Sequence, residues 1–163
     1  MVDSYLGPIT PPTEILPGLF LGDADDADNF TGNIIAVHED PNSVNWKKSM
    51  HIPVLDNPTR VYLSLDMEVW VNKTNLDLVC RYIQDSLATG RPVLVHCWQG
   101  IERSPLTITY YLAKHQKERF PTWESAYTHV RSLRPIVQDR THWLTAACRR
   151  EVGLYAPPVD QGQ

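Results

Sequence analysis

The sequence predicts an α/β domain with a small central mixed sheet flanked by helices, and three observations carry that prediction. Short apolar runs bounded by turn residues alternate with amphipathic stretches through the first hundred positions. Beyond them only helical periodicity remains, the pattern of a sheet followed by covering helices. One β-branched run, Val93-Leu94-Val95, passes straight into a polar loop and then into a helix that opens at Ser104-Pro105, where proline suits a first turn.

In chain order, Pro8, Pro11 and Pro12 make residues 1–12 a short extended terminus. Ile15 to Leu21 reads as a strand or hairpin turning at Pro17-Gly18, and Ile34 to Val37 as a buried strand. Met50 to Val54 is a further strand, which Pro53 confines to an edge or a strand end. In the helix expected over Thr74 to Thr89, Leu76, Val79, Cys80, Ile83 and Leu87 share one face; Thr74 and Asp77 form a capping-box pattern and Gly90 is the stop. The helix from Ser104 turns Ile108, Tyr111 and Leu112 inward. Thr122 caps the next, with Trp123, Ala126, Tyr127 and Val130 on its apolar face until Pro135. Thr141 to Val152 is read as a last helix, and residues 155–163 as a short extended tail. One domain, residues 13–154, is expected.

Among the 163 residues, 42% are apolar and 21% charged, as in ordinary globular chains. The net charge of −4 provides no basic field for nucleic acid. No apolar stretch approaches a membrane span, and residues 1–12 lack a basic segment followed by an apolar run, so they are not expected to be a signal peptide. Cys80, Cys97 and Cys148 lack metal-ligand spacing and read as free thiols, so a cytoplasmic location and no metal or other cofactor are expected. Cys80 and Cys148 fall on apolar helix faces and are read as core. His38-Glu39-Asp40, beside Pro41, is read as a strand-end turn rather than a metal cluster.

The segment His96-Cys97-Trp98-Gln99-Gly100-Ile101-Glu102-Arg103-Ser104 is where chemistry concentrates. A loop between a strand end and a helix N-terminus turns successive N–H groups inward, and the helix dipole adds positive charge. Such a nest binds a phosphate dianion and favours thiolate over thiol. Cys97 is then a nucleophile that attacks phosphorus. Arg103 grips two phosphate oxygens with its fork, as a lysine could not. Gly100 permits a positive φ, Ser104 stabilises the sulfur as leaving group, and His96 braces the loop. Trp98, Gln99, Gly100, Ile101 and Glu102 form the phosphate-binding turn between them.

His96-Cys97-x5-Arg103-Ser104 matches the signature of the protein tyrosine phosphatases, and the chain resembles their small dual-specificity branch. Ile15-Leu16-Pro17-Gly18-Leu19-Phe20-Leu21-Gly22 resembles that branch's opening strand pair, Val130-Arg131-Ser132-Leu133-Arg134-Pro135 its helix end, and Trp143-Leu144 stands where it often has Phe-Leu. The resemblance implies a cysteine-phosphatase-like fold, a phosphocysteine intermediate, and an aspartic acid upstream that protonates the leaving oxygen and then activates water. Asp66, 31 positions before Cys97, is the preferred candidate; Asp56, two positions after the strand ending at Val54, is the other. Three positions depart from the family. Trp98 is bulky, Glu102 places an acid directly before the arginine, and Arg140 stands near where the family often has Asn.

The implied substrate is a phosphorylated protein or peptide carrying phosphotyrosine, with phosphoserine and phosphothreonine included if the pocket is shallow. Phosphoinositides are disfavoured because residues 98–102 contain no lysine, and RNA triphosphates by the acidic balance. The alternative of a different class is a catalytically weak member that binds phosphorylated partners, motivated by Glu102 and the two competing acids. Sulfur transfer or redox sensing is a third reading, with Cys80 or Cys148 as resolving thiol.

Overall fold

The computed structural model describes residues 11–38, 51–54, 57–64, 73–97 and 99–154. Met50, Asp56, Asp66, Trp98, Glu39-Asp40-Pro41, residues 1–10 and the tail 155–163 lie outside the described residues.

The chain enters through the expected hairpin, β1 (Thr13–Leu16) and β2 (Leu19–Gly22), antiparallel around Pro17-Gly18 with Gly18 at φ 86°. A helix follows that the apolar pattern did not announce, α1 (Ala24–Asn29). It is held by a reciprocal capping box, in which Asp26 N–H donates to Asp23 Oδ1 and Asp23 N–H to Asp26 Oδ2, both at 2.9 Å. Then come β3 (Asn33–His38), β4 (His51–Val54), β5 (Asn57–Ser64), α2 (Lys73–Ala88) and β6 (Val93–His96). The chain ends in α3 (Arg103–His115), α4 (Trp123–Leu133), a 3-10 turn (Thr141–Trp143) and α5 (Ala146–Glu151).

Among the described residues the sheet has six strands in the order β1-β2-β6-β3-β5-β4. β2, β6, β3 and β5 run parallel, and the outer strands β1 and β4 are antiparallel to their neighbours. β4 is an edge strand, and its register shifts between Ile52 and Val54, where Pro53 cannot donate to the ladder. Alternation along the strands divides the core. Leu19, Leu21, Ile35, Val37, Val93 and Val95 meet the faces of α2, α3 and α4, while Ile34 and Leu94 lie with Phe20 and Phe30 against Ala27 of α1. α3 runs through the middle of the helical layer and is buried continuously from Ser104 to Ala113.

Three local expectations are corrected. Thr74 lies inside α2 rather than capping it. Asp77 instead ties helices together, accepting from Lys73 Nζ at 2.6 Å, Lys114 Nζ at 2.7 Å and the Tyr110 hydroxyl at 3.0 Å. The helix expected over Thr141 to Val152 is broken, because Leu144 is extended (ψ 135°) and Thr145 restarts the chain as the N-cap of α5, its Oγ1 accepting from Cys148 N–H. The strand β5 was missed, because Asn57-Pro58 reads as a turn and Arg60 separates Thr59 from the short β-forming run Val61-Tyr62. α4 behaves as expected, with Thr122 and Ser125 in a capping box.

Candidate active site

β6 sits between β2 and β3, so its C-terminal end opens at the centre of the sheet's C-terminal edge, where helices following parallel strands present their N-termini. Cys97 is the first residue beyond β6 and is 2% exposed. Its Sγ accepts from Gly100 N–H at 3.3 Å and lies 3.2 Å from Ser104 Oγ in the first turn of α3. Gly100 has φ 71°, which is needed here twice over. A Cβ at this position would fall 2.7 Å from Gly22 O and 2.7 Å from an Arg134 guanidinium nitrogen.

His96 is buried, and its Nδ1 lies 3.1 Å from the Cys97 carbonyl, which assigns the proton to Nδ1 for that contact. Glu102 occupies the N-cap of α3 without giving it a side-chain hydrogen bond. Its carboxylate turns aside to Arg140, whose Nε and terminal nitrogen donate to Oε2 at 3.2 and 2.7 Å, while Oε1 lies 3.5 Å from Arg103. The guanidinium carbons of Arg103 and Arg140 lie 5.6 and 5.5 Å from the ring centroid of Trp143. Burial, and then the neighbouring Arg140 cation, push Arg103 below the usual arginine range.

The far side of the loop is held by residues that pattern reading did not single out. Arg134, which stood in the sequence only within the family-like stretch Val130 to Pro135, is 3% exposed. Its Nε donates to Gly100 O at 2.9 Å, one terminal nitrogen to Gln99 O at 3.4 Å, and the other to Thr13 Oγ1 at 3.1 Å. Gln138 N–H donates to Ile101 O at 2.8 Å. Three consecutive loop carbonyls, Gln99, Gly100 and Ile101, are thereby turned outward onto Arg134 and Gln138. In the sequence Arg134 was marked by its place before a helix-ending proline and by the likeness of Val130 to Pro135 to the family's helix end.

Arg134 is a buried cation. Burial lowers its affinity for the proton, and negative charge on Asp26, Asp23 and Cys97 offsets part of that cost. Asp26, 7% exposed, is raised to about 6, first by burial and further by the adjacent Asp23. A carboxyl that holds its proton more tightly folded than unfolded contributes most stability at low pH. That contribution falls as pH rises from the ordinary carboxyl value of 3.8 through about 6, and is flat above. The full interval corresponds to at most about 3 kcal/mol. Asp26→Asn keeps an acceptor for Asp23 N–H and abolishes the titration. Urea unfolding should therefore show the wild type losing about 1–2 kcal/mol between pH 4 and 7 relative to the variant. Parallel stability profiles would refute the assignment.

Burial pushes the Cys80 and Cys148 thiols up, so neither is a nucleophile at neutral pH. No cluster of three metal-ligating side chains occurs among the described residues, and no described helix is long and apolar enough to cross a membrane. Of the residues expected to carry chemistry, Cys97, Gly100, Glu102, Arg103 and Ser104 come together, with His96 against the loop backbone. Trp98 and both aspartic acids lie outside the described residues.

The model of the dual specificity phosphatase catalytic domain matches residues 23–149. The chain belongs to this family. Dual specificity protein phosphatase 15 of Mus musculus is 31% identical over 133 residues, covering 76% of this chain and 51% of its own. Dual specificity protein phosphatase 12 of Rattus norvegicus is 31% identical over 88 residues, covering 54% of this chain and 22% of its own. The chain thus spans about half, or much less, of the length of these curated relatives. Among solved structures, DUSP15 superposes with a TM-score of 0.60 at 24% identity, covering 87% of this chain and 85% of that one. The human tyrosine phosphatase-like serine/threonine/tyrosine-interacting protein gives 0.61 at 20%, covering 88% and 93%. Both likenesses concern the dual specificity phosphatase fold.

Proposed function

We propose that residues 13–154 form a catalytic domain that hydrolyses phosphotyrosine, and also phosphoserine and phosphothreonine, in protein substrates through a phosphocysteine intermediate. The observation that carries this reading is the environment of Cys97 Sγ, which combines a loop N–H, a serine hydroxyl and the start of a 13-residue helix beside Arg103. In the first step the Cys97 thiolate attacks phosphorus. The ester P–O bond breaks, Arg103 and the loop N–H groups carry the oxygens' charge, and an aspartic acid gives its proton to the leaving oxygen. In the second step the same carboxylate takes a proton from water, which attacks phosphorus and breaks the P–S bond. Ser104 Oγ stabilises the departing thiolate, and orthophosphate leaves. Neither step calls on a metal or other cofactor. Cytoplasmic residence belongs to the same reading, supported by three free thiols.

For the acid, the sheet favours Asp66. β5 runs parallel to β3, pairing Ile34 with Arg60 and His38 with Ser64, so Ser64 ends at the edge of the sheet that carries Cys97. Asn57, at the other end of β5, is seven strand steps away, about 23 Å at the usual rise. Asp66 follows Ser64 by two residues in sequence, and Asp56 precedes Asn57. Asp66→Ala should lower turnover of phenyl phosphate about 10²-fold or more, lower that of p-nitrophenyl phosphate far less, and flatten the pH profile. Asp56→Ala should leave these features in place. The reverse pattern would transfer the role to Asp56.

Hydrolysis of phosphotyrosine and phosphothreonine peptides in the presence of a chelator tests the reading as a whole. The contact of Glu102 with Arg103 favours a second reading, a weakly catalytic domain that binds phosphorylated partners. Phosphopeptide binding without turnover would select it.

A further inference from the structure

The side of α4 that turns away from the core carries a groove. At 100° per residue Trp123, Ala126 and Val130 share the buried side, while Tyr127, Thr128, Arg131 and Ser132 lie together on another. These four and Pro135 line a groove of about 370 Å³. Tyr127 is partly buried and packs against the core, and Ser132 Oγ donates to His129 O at 2.8 Å. Arg131 is the charged residue of the lining. It is exposed in the last turn of the helix, and its side chain has no ion-pair or hydrogen-bond partner among the described residues. Glu124, the acid on the same side of α4, is two helical turns earlier, about 10 Å along the axis.

The groove ends close to the loop that holds Cys97. Arg134 O accepts from Val137 N–H at 3.1 Å, which folds residues 134–137 into a tight turn, and Gln138 N–H donates to Ile101 O at 2.8 Å. Pro135 is therefore about 10–15 Å from the loop, roughly three to five residues of extended peptide. Between Pro135 and Val137 in the chain stands Ile136, 54% exposed, the most exposed large apolar side chain among the described residues.

We propose that this groove docks the protein substrate itself, taking an apolar side chain against Tyr127, Pro135 and Ile136 and an adjacent carboxylate on Arg131. The docked residues would stand roughly three to six positions from the phosphorylated one. This rests on the function proposed above, because the phosphate at Cys97 is what tethers the segment. Once the phosphate is bound the second contact is intramolecular, so a weak one still counts. Charge complementarity assigns the carboxylate. Arg131 is an unpaired cation beside an apolar lining, and a basic side chain in the same place would be repelled by it.

The test uses phosphotyrosine peptides with one Leu-Glu pair placed at each distance of roughly three to six residues, before or after the phosphotyrosine, and their Leu-Lys counterparts. In the favoured register kcat/KM should be about fivefold higher for the Glu peptide at low ionic strength. Arg131→Glu should reverse that order and Arg131→Gln should flatten it. Both should leave p-nitrophenyl phosphate turnover within about twofold, since that substrate is too short to reach the groove. Ile136→Ser should cost the Leu-Glu peptide about threefold and leave p-nitrophenyl phosphate unchanged. A Glu preference that persists in Arg131→Glu, or no preference in any register of the wild type, would overturn the proposal. If the wild type does not turn over p-nitrophenyl phosphate, the hydrolytic reading falls alone. The same charge reversal, read as peptide dissociation constants, then decides the docking, and its absence overturns it. A dimer that dissociates in Arg131→Glu while the peptide order stays unchanged would give the groove to a second copy of the chain.

Discussion

Replacing Cys97 by serine is expected to lower p-nitrophenyl phosphate turnover by about 10⁴-fold or more while orthophosphate still binds. The reason lies in ionisation. A thiolate can be held at neutral pH by N–H donors and a helix N-terminus, whereas a serine hydroxyl has to lose its proton to a base. The described residues offer no such base at this position. The neighbouring ring nitrogen, His96 Nδ1, is turned to the Cys97 carbonyl. The variant keeps Arg103 and the loop donors, and a hydroxyl at residue 97 retains Gly100 N–H and Ser104 Oγ as partners, so stability should change by less than about 1 kcal/mol. A chelator should leave wild-type turnover untouched, because the proposed route uses no metal. Residual activity in Cys97→Ser above about one per cent of wild type would end the phosphocysteine reading, since loss of a nucleophile costs orders of magnitude more.

Arg134→Ala should be the most damaging change outside the loop itself. It deletes three hydrogen bonds from a side chain 3% exposed and leaves the Gln99 and Gly100 carbonyls without that donor. It also removes the cation that faces Asp26 and Asp23. Breaking a buried charged network of this kind costs about 3–5 kcal/mol. Urea denaturation should show that loss, and kcat/KM should fall by about 10²-fold, because the carbonyls would no longer be drawn away from the anion and the Gly100 N–H no longer aimed at sulfur. Arg134→Lys should rescue little, since one ammonium cannot reach Gln99, Gly100 and Thr13 together. A near-normal rate in either variant would show that the loop holds its shape unaided.

The difference between Cys97 and Arg134 explains which parts of the molecule were legible in the sequence. Cys97, Gly100, Arg103 and Ser104 are neighbours along the chain, and their meeting follows from a strand, a turn and a helix start in nine consecutive residues. Arg134 meets main-chain carbonyls 34 and 35 positions away, and carbonyls leave no trace in a residue pattern. Glu102 looked hazardous because its partner Arg140 is 38 positions downstream. The hairpin, β3, β6 and α2 to α4 were readable from apolar spacing. α1 was not, because its six residues ADDADN carry almost no apolar signal and depend on Asp23 and Asp26 capping one another. Thr145 broke a helix that Trp143, Leu144, Ala147 and Cys148 suggested, because local capping outweighed periodicity.

The contacts that secure the anion loop also set when it can form. Arg134 reaches Thr13 across 121 positions, His129 Nε2 meets Ile15 O across 114, and Gly22 lies against Gly100. The first hairpin therefore lacks its partners until α4 has been synthesised, and β6 must enter beside β2 before the loop has a floor. Closing such long separations is the slow part of folding. A nascent chain would thus acquire its secondary structure well before the surroundings proposed to activate Cys97. The nucleophile proposed above stays unarmed until Thr13 and Arg134 have met.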